Sequence, residues 1–229
     1  MQNIRAICFD LDNTLWDLDP VIPRAERKLY KWYEQNYPRV TVLFTLTRML
    51  EVRQAIMRDR PDLLHDLTAM RLLALHYMAE EAGYPAGMAA EAFEVFQEQR
   101  NAVTLYSDVL PVLEQMSSTH SLFALTNGNA DLEVIGIAHL FKQVFTAREL
   151  GMAKPNVEVY EAVCKESGFT AGEILHVGDD PDNDIVAAAQ AGWRAVWVNR
   201  KASTWPHEES SPDAIVTDLH QLTKLFGRE

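Results

Sequence analysis

The stretch Phe9-Asp10-Leu11-Asp12-Asn13-Thr14-Leu15 closes an apolar run made of Ile4, Ala6, Ile7, Cys8 and Phe9. A run without polar alternation reads as a strand buried on both faces, the kind found inside a parallel sheet. Two carboxylates therefore arrive together where that strand ends and the chain turns. Neighbouring carboxylates repel and give up water reluctantly, so a chain that places them there binds a cation or uses one of them protonated. Taken alone, the same residues also suit a turn in which Asp12, Asn13 and Thr14 cap the next segment.

After Leu15 the pattern changes. From Asp19 to about Val103 only helical periodicity is present, broken by turn residues. Asp19-Pro20 opens a helix with Val21, Ala25, Leu29 and Tyr33 on one face. A second helix is predicted over about 40–58 with Leu43, Leu46, Leu50 and Ile56 inward, a third over about 63–81 closed by Gly83, and a fourth over about 86–101. From Ser107 onward strands and helices alternate: strands at 122–125, 143–146, 174–177, 194–198 and 214–216, with helices after Ser107, near 130–136, over 155–167 with Gly168 as C-cap, and after Asp180 as far as Ala191. Such alternation implies a Rossmann-like α/β fold, a parallel sheet with helices on both faces. The expected division is an α/β core of residues 1–16 and 104–229, with residues 17–103 inserted as a small helical bundle. Residues 201–213, rich in Ser, Glu and Pro, read as a surface loop.

The 229 residues, 48% hydrophobic, suffice for one large domain or a core with an inserted smaller one. A net charge of -12 without a basic tract argues against nucleic acid as a main partner. The two cysteines, Cys8 and Cys164, read as small core residues rather than a disulfide framework. No long apolar run suggests a membrane span. The N-terminus runs straight into a strand without a charged-then-apolar leader, which predicts a cytoplasmic protein.

In an open parallel sheet the carboxyl ends of the strands share one edge, where ligands bind. The polar groups of this sequence gather at those ends: Asp10 and Asp12 after the first strand, Thr126 and Asn127 after a second, Asp179 and Asp180 after a third, and Lys154 beyond the strand ending at Thr146. Three acids near one point suit Mg²⁺, a hard cation that prefers oxygen ligands. A hydroxyl, a lysine ammonium and turn N–H groups suit a phosphate. Cation and lysine together would offset the repulsion between a phosphate dianion and a carboxylate nucleophile.

Asp10-Leu11-Asp12-Asn13-Thr14, Thr126, Lys154-Pro155 and Gly178-Asp179-Asp180-Pro181-Asp182-Asn183-Asp184 resemble the four motifs of the haloacid dehalogenase-like hydrolases, in order and over the whole chain. The inserted bundle resembles the cap of the subfamily that includes phosphoglycolate phosphatase. The resemblance implies that Asp10 is the nucleophile forming an aspartyl-phosphate, and that Asp12 is the acid and base, which must be protonated as substrate arrives. It implies that Thr126 and Lys154 hold phosphoryl oxygens. Asp10, Asp12 through its backbone carbonyl, and Asp179 would bind Mg²⁺, with Asp184 orienting Asp179 or a metal-bound water and Asp180 as the alternative. Asp182 reads as a solvated residue of the first helical turn. Dehalogenases of this family lack an aspartate equivalent to Asp12, because a halide needs no proton to leave, so its presence favours a phosphatase.

Further substrate contacts are expected from Asn127, from Trp16 beside the nucleophile motif, and from His65 in the helical insertion, with a satisfied core histidine as the alternative for the last. Residues 20–27, the His65-Asp66 stretch with Arg71, residues 126–130 and residues 173–180 are similar to one branch of the family, phosphatases of riboflavin biosynthesis. These act on 5-amino-6-(5-phospho-D-ribitylamino)uracil and accept FMN. Glu149-Leu150-Gly151-Met152-Ala153, leading to Lys154, departs from that branch's more basic sequence. The resemblance implies a small phosphomonoester as substrate, 5-amino-6-(5-phospho-D-ribitylamino)uracil favoured, with a broad-specificity phosphatase, a 2-haloacid dehalogenase and a non-catalytic phospholigand-binding protein as alternatives.

Overall fold

The strand that begins the sequence lies inside the sheet. The computed structural model describes residues 1 and 3–227. β1 (Ala6–Phe9) leads into the helices α1 (Val21–Asn36), α2 (Pro38–Leu43), α3 (Leu46–Asp59), α4 (Leu67–Glu81) and α5 (Gly87–Asn101). Strands and helices then alternate as α6 (Val109–Ser117), β2 (Ser121–Thr126), α7 (Leu132–Ile135), β3 (Gln143–Thr146), α8 (Ala147–Leu150), α9 (Val157–Ser167), β4 (Ile174–Gly178), α10 (Ala187–Gln190), β5 (Arg194–Val198), β6 (Ala214–Val216) and α11 (Leu219–Lys224). None of these helices is long and apolar enough to cross a membrane.

All six strands pair in parallel, in the order β3-β2-β1-β4-β5-β6. This order reverses direction at β1, so the crevice beside its carboxyl end is the expected ligand site. Register fixes which residues meet there. Phe9 is level with Ala124 on one side and Val177 on the other, which sets Asp10 beside the ends of β2 and β4. β1 is fully buried. Ala6 and Cys8 belong to a core shared with Val159, Tyr160 and Val163 of α9 and Ala187 and Ala188 of α10. Ile7 and Phe9 point to the opposite face, where Phe9 meets Phe141 edge-on at 6.5 Å between ring centres.

The chain separates into two compact units: Met1–Asp17, Thr104–Gly128 and Gly136–Glu229 in one, and Leu18–Val103 with Asn129–Ile135 in the other. In the helical unit α1 buries Val21, Ala25, Leu29 and Tyr33, the face its periodicity predicted. The second predicted helix is two. Thr45, in extended conformation, accepts a hydrogen bond from the Arg48 N–H and starts α3 afresh. The interruption at Phe44 and Thr45 shifts the helical phase, so Val40, Phe44, Met49 and Val52 face inward. Leu43, Leu46 and Leu50, expected inside, are instead 53%, 39% and 45% exposed, while Ile56 packs against the core as expected. The third helix also begins later than its periodicity suggests, at Leu67, because Asp66 caps it through the Ala69 N–H.

In the α/β unit one tie is long-range. Asp108, read from sequence as a helix-starting residue, is buried and accepts hydrogen bonds from Arg200 at 2.9 Å and from the Leu219 N–H at 2.6 Å. It thereby joins the starts of α6 and α11. Burial opposes its charge, but these bonds outweigh burial and hold its carboxyl below the ordinary range. Asp108→Ala would leave the Arg200 guanidinium and a buried N–H without their acceptor, an expected loss of about 2–3 kcal/mol. Chemical denaturation of the variant measures it, and a change under about 0.5 kcal/mol would refute this role.

Candidate active site

Lys154 lies in the turn between α8 and α9, and its ammonium reaches the end of β1. Its backbone is clamped by Asn127, whose side-chain amide donates to the Lys154 carbonyl and accepts from its N–H, both at 2.9 Å. The end of β2 thus sets where Lys154 emerges. The lysine is 5% exposed, and its Nζ donates to Asp10 Oδ1 at 2.8 Å and to Asp184 Oδ1 at 2.5 Å.

Asp184 comes from the segment after β4. Asp180 caps the wide helical turn Pro181–Val186, accepting from the Asp182 and Asn183 N–H groups at 2.9 and 2.8 Å. That turn carries Asp184 back under the strand end, where its Oδ2 accepts from the Asp180 N–H at 3.0 Å and its Oδ1 lies 3.1 Å from His176 Nε2. The fit is close enough to require a glycine: a Cβ on Gly178 would stand 2.3 Å from the Asp184 carboxyl carbon. Asp179 accepts from the Thr14 hydroxyl at 3.2 Å, and its carbonyl accepts from the Trp197 indole N–H at 2.7 Å.

Asp10, Asp179 and Asp184 each present a carboxylate oxygen, all within 4.8 Å of one another. Three carboxylates against one ammonium leave two uncompensated negative charges in a buried place. Burial pushes the Asp10 carboxyl well above its usual range; Lys154 opposes this, while Asp184 and Asp179 add to it. Burial and then Asp184 push Asp179 up to about 7. Burial would raise Asp184 too, but the Lys154 ammonium and the His176 hydrogen bond outweigh it and hold Asp184 low. An all-oxygen donor set with excess negative charge fits a hard divalent cation.

The expected site residues divide between this cluster and its surroundings. Asp184, not Asp180, joins Asp10 and Asp179. The Asp12 side chain stands outside the cluster and accepts from the Trp16 indole N–H at 2.8 Å. Trp16, expected among the substrate contacts, is fully buried, so its polar atom serves Asp12. Asn127, expected in the same role, spends its amide on the Lys154 backbone. Thr126 is buried at the end of β2, its oxygen accepting from the Gly128 N–H at 2.9 Å while its hydroxyl proton remains available to donate. His65 is half-buried in the helical unit, in the turn before α4. The Asp182 side chain is 70% exposed, as expected of a solvated residue.

Sequence reasoning missed His176 and Arg200. His176 sits within an apolar strand, where a histidine reads as core. Arg200 donates to the Thr14 carbonyl at 3.1 Å as well as to Asp108, tying the turn after β1 to the start of α6. The local signal is a polar residue inside an apolar strand for His176 and one just past a strand end for Arg200.

A profile of the haloacid dehalogenase-like hydrolases matches residues 4–192. The chain belongs to that family. Among curated members of this hydrolase family it is 33% identical to the 5-amino-6-(5-phospho-D-ribitylamino)uracil phosphatase YigB of Escherichia coli K12, over 96% of this chain and 97% of that one. It is 26% identical to the (S)-2-haloacid dehalogenase 2 of Pseudomonas sp. CBS-3, over 99% and 97%. A crystal structure described as a 2-haloacid dehalogenase from Pseudomonas syringae pv. tomato DC3000 superposes with a TM-score of 0.92 at 34% identity, over 97% of this chain and 98% of that one. Relatives of this hydrolase thus carry the names of both phosphatases and dehalogenases.

Two outcomes are expected for the acid cluster. Because Asp179 ionises near pH 7, the ligating carboxylate form is lost below that value. Mn²⁺ affinity measured by calorimetry should therefore rise with pH through about 7, falling by up to about tenfold per unit below it. A pH-independent affinity from 5.5 to 8 would contradict it. Gly178→Ala should displace Asp184 and weaken Mn²⁺ binding at least about tenfold; unchanged affinity would show that the close approach is dispensable.

Proposed function

We propose that this chain is a Mg²⁺-dependent phosphomonoester hydrolase working through an aspartyl-phosphate on Asp10. The reading rests on the strand end that holds two carboxylates in different surroundings, Asp10 against Lys154 in the acid cluster and Asp12 apart from it on Trp16. A phosphatase needs both a nucleophile and an acid; a dehalogenase needs only the first.

In this reading Asp10, Asp179 and Asp184 would hold Mg²⁺, which when bound supplies charge neutralisation for a phosphate dianion. Lys154 and Thr126 bind phosphoryl oxygens. An Asp10 carboxylate oxygen attacks phosphorus, the bond to the ester oxygen breaks, and its electron pair stays on that oxygen, which takes the proton of Asp12. Asp12, now ionised, removes a proton from a water that attacks the same phosphorus. The acyl phosphate bond breaks, inorganic phosphate leaves, and both aspartates return to their starting states.

The favoured substrate is 5-amino-6-(5-phospho-D-ribitylamino)uracil, with FMN also accepted, supported by the Escherichia coli relative that matches nearly end to end. A broad-specificity phosphatase is the nearest alternative. The dehalogenase reading has the names of two relatives in its favour, but it leaves Asp12 without a task. A cytoplasmic setting suits the two unpaired cysteines.

Phosphate release in Mg²⁺, measured as kcat/KM for the ribitylaminouracil phosphate against FMN, phosphoglycolate, a sugar phosphate and a nucleotide, tests this reading. A lead of about a hundredfold, about 2.7 kcal/mol of differential transition-state binding, is expected for the flavin precursor. Flat values would make the enzyme a broad scavenger. Chloride release from 2-chloropropionate without any phosphate release would replace the proposal with a dehalogenase. Asp10→Asn should abolish turnover, by about a thousandfold or more, with the fold intact; full residual activity would exclude Asp10 as nucleophile.

A further inference from the structure

We propose that Trp16 is the positioning residue for Asp12: its indole N–H holds Oδ1 and thereby assigns the transferable proton to Oδ2. This inference rests on the acid and base role of Asp12 proposed above.

Three observations carry it. The Trp16 Nε1 to Asp12 Oδ1 distance is 2.8 Å, well inside the range of an N–H···O hydrogen bond. An indole N–H only donates, and the carbonyl oxygen of a protonated carboxyl accepts better than its hydroxyl oxygen, so the bond to Oδ1 favours the proton on Oδ2. Trp16 itself is enclosed. It is fully buried, and its backbone bridges both Asp12 and Leu105. The turn between the two residues is closed by the Leu15 N–H bond to the Leu11 carbonyl at 2.8 Å, with Asn13 at a φ of 63°. The next backbone bond, from the Tyr106 N–H to the Leu15 carbonyl at 3.0 Å, ties this turn to the rest of the α/β unit.

A tether of this kind answers a specific hazard. The Asp12 carboxylate begins two residues from Asp10, whose own carboxylate takes the Lys154 ammonium, and that ammonium, or a divalent cation held by the acid cluster, would draw it in. A carboxylate captured there would lose its role as acid toward the leaving oxygen. The indole bond holds Asp12 apart from the cluster that uses Asp10.

The test separates acid catalysis from general damage by varying the leaving group. An alkoxide leaving group needs the proton of Asp12, whereas 4-nitrophenolate leaves readily without it. In kcat/KM, which reports the steps up to cleavage of the ester bond, Trp16→Phe is expected to lower turnover of an alkyl phosphate about 10- to 100-fold and that of 4-nitrophenyl phosphate less than about twofold. Their ratio is independent of the folded fraction. Replacing Trp16 by 3-benzothienylalanine, which keeps the shape and removes only the N–H, should give the same selective loss if the phenylalanine variant is unstable. In an Asp12→Asn background neither replacement should change the ratio further. Equal losses on both substrates, or no loss, would overturn the positioning role while leaving that of Asp12 intact. An Asp12→Asn enzyme with an unchanged alkyl-to-aryl ratio would refute the acid role of Asp12 and this inference with it.

Discussion

A buried ammonium has to be surrounded by acceptors, and the catalytic edge of this protein is arranged around that of Lys154. Its charge is met by carboxylates from two different strand ends, Asp10 after β1 and Asp184 beyond β4, and its backbone by an amide from a third, Asn127 after β2. Removing water from an ammonium costs several kcal/mol unless such partners are fixed in advance. Gly178, His176 and the Asp180 N–H provide that fixing for Asp184. The acids nevertheless outnumber the one cation, and the surplus shows as protons held more tightly than usual by Asp10 and Asp179. A site left short of positive charge is suited to receiving it with its ligands.

Local pattern made most of the α/β half legible. β3, β5 and β6 run as their apolar stretches predict, and the α1 face follows its periodicity residue by residue. The acids that gather at the strand ends could be read because parallel pairing makes those ends neighbours. What the pattern could not supply was phase and partner. A single capping threonine rotated α3 relative to α2 and turned three expected core leucines outward. Asp108 finds its acceptor duties at Leu219, and Arg200 finds Thr14, across separations over which sequence carries no periodic signal. Trp16 read as a pocket wall because its position beside the motif was visible and its burial was not. α11, capped by Asp218, carries too few apolar residues to stand out as a helix.

The relatives of this chain show how little of the chemistry resides in the fold. Phosphatases and dehalogenases both occur among them, so the difference lies in individual side chains rather than in the sheet. In this protein the carboxylate two residues beyond Asp10 accepts from the Trp16 indole. His176 belongs to the same class of detail: a polar residue in an otherwise apolar strand, packed edge-on against Tyr160 and Trp193 while its Nε2 orients an acid.

The helical unit is not a contiguous piece of chain. Asn129–Ile135, which follows almost directly on Thr126, groups with Leu18–Val103. Within that unit Asn129 bonds Thr68 and Gln97, and the Asp131 N–H bonds Asn101. Anyone grafting a different helical insertion onto this core as a single cassette would leave the short segment behind with its partners gone, three residues downstream of the β2 strand end. Chimeras would therefore have to exchange two stretches at once, and in lineages that trade such insertions by recombination the two should travel as a linked pair.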